Sequence, residues 1–184
     1  MYPEELTLPH AVDPSTEPSL AAAVTHAASA ELADALATIE HCIAQLSDEQ
    51  VWHRQGEGLN SIGNLLLHLT GNLRQWAIAG LTGAADERRR PEEFRAQGGI
   101  SRDELVQSLR TCVAEARQIL PSVRSEELLR VRTVQGFAVS GIAALWHTVA
   151  HFRGHTQEII GMTRLLLGKA YRFQWVPKTA EQGA

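Results

Sequence analysis

The segment that decides the fold of this chain reads Leu145-Trp-His-Thr-Val-Ala-His-Phe-Arg-Gly-His-Thr-Gln-Glu-Ile159. It contains His147, His151 and His155, and residues four apart lie one above another on one face of an α-helix. Two imidazoles at that spacing can bind one metal ion from a single helix. Three cannot, because His147 and His155 are separated by about 12 Å of helix rise, whereas each nitrogen must lie about 2.1 Å from a zinc-like ion. The segment therefore predicts one chelating pair, and another element must supply the next ligand.

The best candidate for that ligand is His68, which lies within the apolar run Asn64-Leu-Leu-Leu-His-Leu69. The alternative is a core histidine that is hydrogen-bonded to a carbonyl. A buried imidazole without a partner is costly, and one metal ion satisfies several imidazoles at once. Joining His68 to His151 and His155 gives three neutral nitrogen ligands and leaves a position for water or substrate, which is typical of a reactive metal site. The spacing alone also allows His147 to replace His155.

The apolar periodicity around these histidines predicts four long helices. They cover about 20–46, from Asn60 or Ser61 to about Ala79, 101–120 and 140–167. Serines precede several of them, and glycines follow two, as expected at helix ends. The inward positions predicted on the first three helices are Leu20, Val24, Leu32, Leu36, Ile39 and Ile43; Ile62, Leu65, Leu66, Leu69, Leu73 and Trp76; and Leu105, Leu109, Val113, Ala116 and Leu120.

The predicted fold class is therefore all-α, a four-helix bundle with long connections, which places metal sites between facing helices. Residues 1–18 contain four of the seven prolines and form an irregular N-terminal arm, followed by a single domain over 19–184. Residues 84–99 form a charged connection, 130–138 a brief extended segment, and 171–176 an aromatic tail that packs back on the bundle.

Composition excludes several classes of protein. The formal net charge of −4 argues against nucleic-acid binding, which usually needs a basic face. No apolar run is long enough for a membrane span, and the N-terminus does not have the pattern of a secretory signal. The two cysteines do not form a disulfide framework, so a reducing cytoplasm is the expected location.

Two motifs resemble the DinB-like superfamily, and more narrowly its DUF1572-type branch. They are Ser61-Ile-Gly-Asn-Leu-Leu-Leu-His-Leu-Thr-Gly-Asn-Leu73 and, some eighty residues later, Trp146-His-Thr-Val-Ala-His-Phe-Arg-Gly-His-Thr-Gln-Glu-Ile159. The similarity covers most of residues 20–167. It implies a four-helix bundle, frequently a homodimer, in which a histidine of the second helix and a pair on the fourth bind a divalent metal, often zinc or nickel. By position, the implied ligands are His68, His151 and His155.

The resemblance also permits thiol-transfer chemistry. Some DinB-like relatives are thiol S-transferases that use low-molecular-weight bacterial thiols such as mycothiol or bacillithiol, so a small-molecule or thiol substrate is a possible partner. The alternatives are a non-catalytic, dimeric metal-binding or stress-associated bundle, and a metal-dependent hydrolase, which would need a general base near the metal-bound water. His147 and Glu158 are the candidates for a catalytic role. The sequence does not decide whether the protein is an enzyme.

Overall fold

The computed structural model describes residues 19–175, so the predicted arm at 1–18 lies outside the described residues. The helices are α1 (Leu20–Ile43), α2 (Asp48–Trp52), α3 (Ile62–Leu73), α4 (Gly80–Thr82), α5 (Arg90–Arg95), α6 (Arg102–Ile119), α7 (Ser125–Leu129) and α8 (Gly141–Leu167). A π-helical segment, Arg74–Ala79, joins α3 to α4, and single 3-10 turns follow α6 and α8. Strands β1 (Val131–Val134) and β2 (Phe137–Ser140) form an antiparallel hairpin in which Val131 pairs with Ser140.

The four long helices form the predicted bundle. Helix α8 packs between α1 and α3, and α6 packs on the other side against the same two helices. Helices α1 and α8 run parallel, because Asp34 lies beside Arg153 while His41 lies beside the later residue Arg172. Helices α3 and α6 also run parallel, because Thr70 contacts Cys112 and Arg74 contacts the later residue Glu115. Since these two long helices follow one another in the sequence, a long connection must return the chain to the end at which α3 began.

Serine caps explain where these helices begin. Ser61 and Ser101 each accept a hydrogen bond from the backbone N–H three residues on, and the side-chain oxygens of Asn64 and Glu104 accept one from the serine backbone N–H, so both form capping boxes. Ser140 accepts from Ala143 N at the start of α8. These caps fix the register of α3 and α8, the two helices that carry His68 and the histidine pair.

The core agrees with most of the predicted inward positions. Every inward residue predicted on the second and third long helices is buried. On α1 the prediction for Leu20 is wrong: this residue is 80% exposed, whereas the next residue, Ala21, is buried and occupies the inward position of the first turn. Among residues 19–175, no helix is long and apolar enough to cross a membrane.

Two element boundaries differ from the prediction. Helix α1 ends at Ile43 rather than near residue 46, and Ala44–Leu46 continue as turns with local backbone bonds. The second long helix does extend to the region of Ala79, but its last part is π-helical. A π-turn inserts an extra residue into the helix, and a search for 3.6-residue periodicity does not reveal it. The brief extended segment predicted at 130–138 is a complete hairpin.

Candidate metal centre

Helices α3 and α8 bring the predicted ligands together. One nitrogen from each of His68, His151 and His155 lies within 4.8 Å of the other two, and we call these three residues the histidine cluster. His68 is buried, while His151 and His155 are half-buried, so the cluster lies at the edge of the bundle and one side faces solvent. His68 is the only member contributed by α3, as the apolar run predicted.

The cluster is closely packed. The Nε2 atoms of His68 and His151 lie 2.8 Å apart, a distance at which one ring donates a hydrogen bond to the other. Nitrogens bound tetrahedrally to one zinc-like ion, each about 2.1 Å away, lie about 3.4 Å apart. An outward shift of these two rings, of roughly half an ångström, would bring their nitrogens to that spacing.

Burial and neighbouring charge keep His151 neutral. Burial is the main cause that lowers the pKa of His151 to about 3, and the positive charges that His155, His68, His147 and Arg88 can carry add to the effect. Only a neutral imidazole has a lone pair for a metal. His151 is therefore in a metal-competent protonation state across the physiological pH range.

Two carboxylates contact the outer nitrogens of the cluster. His68 Nδ1 lies 2.9 Å from Glu93 Oε2, and His155 Nδ1 lies 2.7 Å from Glu158 Oε2. Carboxylates on the far nitrogen are the usual outer partners of metal-binding histidines, because they orient the ring and leave Nε2 for the ion. Glu158, a predicted catalytic candidate, therefore contacts a member of the cluster directly.

Glu93 belongs to a buried ion pair. Arg88 donates from Nε to Glu93 Oε1 at 2.7 Å and from Nη2 to Oε2 at 2.8 Å. The Arg88 side chain is 3% exposed and that of Glu93 is 10% exposed. Burial opposes ionisation of Glu93, but hydrogen bonds and charge from Arg88 and His68 outweigh it and lower the pKa of the carboxyl group. The pair therefore carries a carboxylate at neutral pH.

Helix α5 places this carboxylate. Asn64 donates from its side chain to the backbone oxygens of Glu93 and Ala96, each at 2.8 Å, and Arg54 donates to Phe94 O at 2.9 Å. Asn64 thus acts on the site through α5, because it holds the backbone of Glu93. Sequence reasoning missed Glu93 and Arg88, because in the sequence they are two charges within a charged connection and only the folded chain places them beside His68.

His147, the other catalytic candidate, lies one turn before the cluster. Its ring stacks on His151 with centroids 5.4 Å apart and an interplanar angle of 14°, and it packs against Trp76 at 4.1 Å. Burial lowers the pKa of His147. The residue thus lines the site on the side towards Trp76, which lies in the π-helical segment.

The remaining histidines lie elsewhere. His41 contacts Arg172 O at 2.7 Å and so helps to fasten the tail to α1, while His26 and His53 are exposed. His10 lies outside the described residues. Of the seven histidines between residues 19 and 175, three therefore form the cluster, as predicted.

Comparison with known proteins identifies the family. The sequence profile of DUF1572, described as a protein of unknown function, matches residues 19–180. This chain belongs to the DUF1572 family. The match confirms the narrower resemblance that the two motifs indicated, the DUF1572-type branch.

Solved structures support the DUF1572 fold. A conserved protein from Enterococcus faecalis superposes with a TM-score of 0.67 at 19% identity, covering 79% of this chain and 98% of its own. A DinB-like protein from Bacillus subtilis gives a TM-score of 0.59 at 16% identity, covering 76% of this chain and 91% of its own. At these identities the likeness shows the fold alone. A search of curated protein sequences finds no match to this chain.

Proposed function

We propose that this DUF1572 protein binds a divalent metal ion through His68, His151 and His155. The observation that carries the proposal is the convergence of three imidazole nitrogens within 4.8 Å from two different helices. The three residues fit the ion, because a neutral imidazole is a nitrogen ligand and two of the three rings have a carboxylate beside Nδ1. Zinc and nickel, which we propose as the ion, are among the metals that imidazole ligands suit.

The proposal is tested by measuring metal content. Protein purified without a histidine tag should hold about one zinc or nickel ion per chain after loading and buffer exchange, because three ligands converge on one position. His68→Ala and His151→Ala should each lose most of that metal. His26→Ala is the matched control, since His26 is exposed on α1. Equal metal content in wild type and both cluster variants would reject the site.

We further propose that the bound ion supports chemistry on a small molecule, with a low-molecular-weight thiol as the preferred substrate class. Three histidine ligands leave a coordination position, and the half-buried His151 and His155 leave one side of the cluster reachable from solvent. A bound ion of this kind would supply Lewis acidity, which lowers the pKa of a bound thiol or water so that its proton can pass to solvent at neutral pH. Within the chain, His68, His151 and His155 hold the ion, Glu158 orients His155, and His147 lines the approach.

A thiol screen distinguishes this enzyme from a non-catalytic metal-binding bundle. Zinc-loaded protein would be incubated with several low-molecular-weight thiols and an electrophilic acceptor, and transfer would be followed by mass spectrometry of the small-molecule product. Transfer by wild type but not by His151→Ala supports the transferase. Silence with every thiol, despite stoichiometric metal, favours the non-catalytic bundle.

We propose a homodimer as the assembly. Ile142 and Trp146 expose 42% and 75% of their surface at the start of α8, beside an apolar groove of about 480 Å³ between α8 and α1. A second copy would remove this apolar surface from water. Sedimentation of wild type and Trp146→Ser tests it, and a monomeric wild type at micromolar concentration would reject it.

A further inference from the structure

The outer nitrogen of His68 lies between two groups with opposite hydrogen-bonding demands. His68 Nδ1 is 2.9 Å from Glu93 Oε2 and 3.0 Å from Arg88 Nη2. A carboxylate only accepts hydrogen bonds, whereas a guanidinium only donates them. Nδ1 therefore satisfies one of the two: with a proton it donates to Glu93, and without one it accepts from Arg88.

The protonation of Nδ1 determines whether Nε2, the nitrogen of His68 that faces the cluster, can bind a metal ion. A neutral imidazole carries one N–H, so the two tautomers place it on opposite sides of the ring. If Nδ1 carries the proton, Nε2 presents its lone pair to His151, which donates across the 2.8 Å contact. If Nδ1 accepts from Arg88, Nε2 carries the proton and has no lone pair for a metal.

We propose that Glu93 is a positioning residue that sets the Nδ1–H tautomer of His68 against the competing donor Arg88, and so makes His68 a metal ligand. The inference rests on the proposed metal site. Three hydrogen bonds donated by Arg88 support it: Glu93 accepts two of them, and Gln75 Oε1 accepts the third at 2.9 Å. The guanidinium of Arg88 therefore has acceptors other than His68. Glu93 Oε2, the carboxylate oxygen nearest Nδ1, then accepts a hydrogen bond from the Nδ1–H of His68.

The surroundings leave Glu93 little freedom to move. Its backbone oxygen accepts a hydrogen bond from Asn64, which completes the capping box of Ser61 and lies one turn before His68. Its side chain lies against Gly71, where a methyl group would overlap Glu93 Oε1 and approach Arg88 Nε to 2.9 Å. The glycine thus leaves space on α3 for the carboxylate at the level of His68.

The first test removes the charge of Glu93 in the full chain. In Glu93→Gln, Arg88 loses its neutralising partner and can donate to Nδ1. We expect the ¹⁵N shifts of His68 in metal-free protein to change from an Nδ1–H to an Nε2–H pattern, and zinc affinity to fall about 10- to 100-fold. Glu92→Gln is the control, because Glu92 is exposed and forms its ion pair with Arg89 at 3.5 Å; it should change neither readout.

A second pair of variants distinguishes the effect of Glu93 on the His68 tautomer from the effect of burying the charges of Glu93 and Arg88. Arg88→Met keeps Glu93, while Arg88→Met combined with Glu93→Leu replaces the ion pair by apolar side chains of similar volume, so this pair tests the role even if Glu93→Gln does not fold. We expect Arg88→Met to keep the Nδ1–H tautomer and zinc affinity within a few-fold of wild type. The double variant should lose the tautomer preference and bind zinc about 10-fold or more weakly.

The outcomes are distinct. Folded Glu93→Gln with an unchanged His68 tautomer and zinc affinity within about twofold of wild type would overturn the proposal, as would equal tautomers and affinities in Arg88→Met and the double variant. Because the tautomer of His68 is measured in metal-free protein, it tests the role of Glu93 independently of metal binding. A wild type with Nδ1–H on His68 that binds no zinc would instead reject the proposed function.

Discussion

His151 is the residue on which the chemistry of the cluster converges. Its ring contacts His68 through Nε2, stacks on His147 and meets His155 edge-on at 4.5 Å between centroids. Burial among three other histidines makes a proton on His151 unfavourable, so the ring remains neutral where an exposed histidine would titrate. The same property that frees a lone pair for metal also makes the fold sensitive to acid.

We expect the metal-free protein to lose stability as pH falls from 7 to 5. The pKa of His151 is about 3 in the folded chain against 6.5 for the ordinary side chain. The unfolded chain therefore binds more protons between those values, and the free energy of unfolding decreases with acid. The slope from His151 is below about 1.4 kcal/mol per pH unit, because this ring takes up at most one proton when the chain unfolds.

Urea unfolding at pH 7 and pH 5 with a chelator present measures this dependence. His151→Gln should show a shallower loss of stability than wild type. His26→Gln, changed at an exposed position of α1, should keep the wild-type slope. Equal slopes for His151→Gln and wild type would contradict the assignment.

Helix α3 has two roles: one face packs in the core, and another contacts the groups around His68. Its leucines fill the core, while Asn64, His68 and Gly71 face α5 and the buried pair of Glu93 with Arg88. Glycine within a helix costs about 1 kcal/mol relative to alanine. Gly71 is explained by the carboxylate and guanidinium that lie against it.

Two glycine substitutions test that explanation. Gly161→Ala on α8 faces open space, so it should stabilise the protein by about 0.5–1 kcal/mol. Gly71→Ala should instead destabilise it by about 1–3 kcal/mol, because the methyl group displaces buried hydrogen-bonded groups. Thermal unfolding would show opposite shifts of roughly 2–4 °C per kcal/mol. If both substitutions stabilise the protein, Glu93 and Arg88 can move away from residue 71 without a loss of free energy, and the explanation for Gly71 is wrong.

The bundle as a whole couples the proposed metal site to folding. The cluster joins α3 to α8, and α8 in turn packs on α1, so an ion held by His68 and His151 links elements that are about eighty residues apart in the sequence. Such a ligand set does not exist in the unfolded chain. Metal binding should therefore stabilise the whole molecule rather than one helix.

We expect zinc at 100 times its dissociation constant to add about 2.7 kcal/mol to the free energy of unfolding. This would raise the melting temperature by roughly 5–10 °C. Calorimetry with and without zinc measures the shift. His151→Ala should show little of it, and His53→Ala, changed at an exposed turn residue, should show all of it. A wild-type shift no larger than that of His151→Ala would mean that zinc does not bind at the cluster.

The sequence by itself determined the helices and the histidine pair. Caps such as Ser61, Ser101 and Ser140 and the 3.6-residue apolar stripes are local, so they can be read without tertiary structure. The four-residue spacing of His151 and His155 fixes their common face for the same reason. The pairing with His68 also came from sequence, through its apolar setting and the family motifs.

Only the tertiary structure decided the surroundings of those ligands. Glu93 and Arg88 are 25 and 20 residues from His68 in the sequence, and they reach its ring because Asn64 fastens α5 to α3. The contact of His147 with Trp76 likewise depends on a π-helical segment. Spacing along a chain predicts which residues share a helix face, but hydrogen bonds between distant residues form only when packing has set both positions.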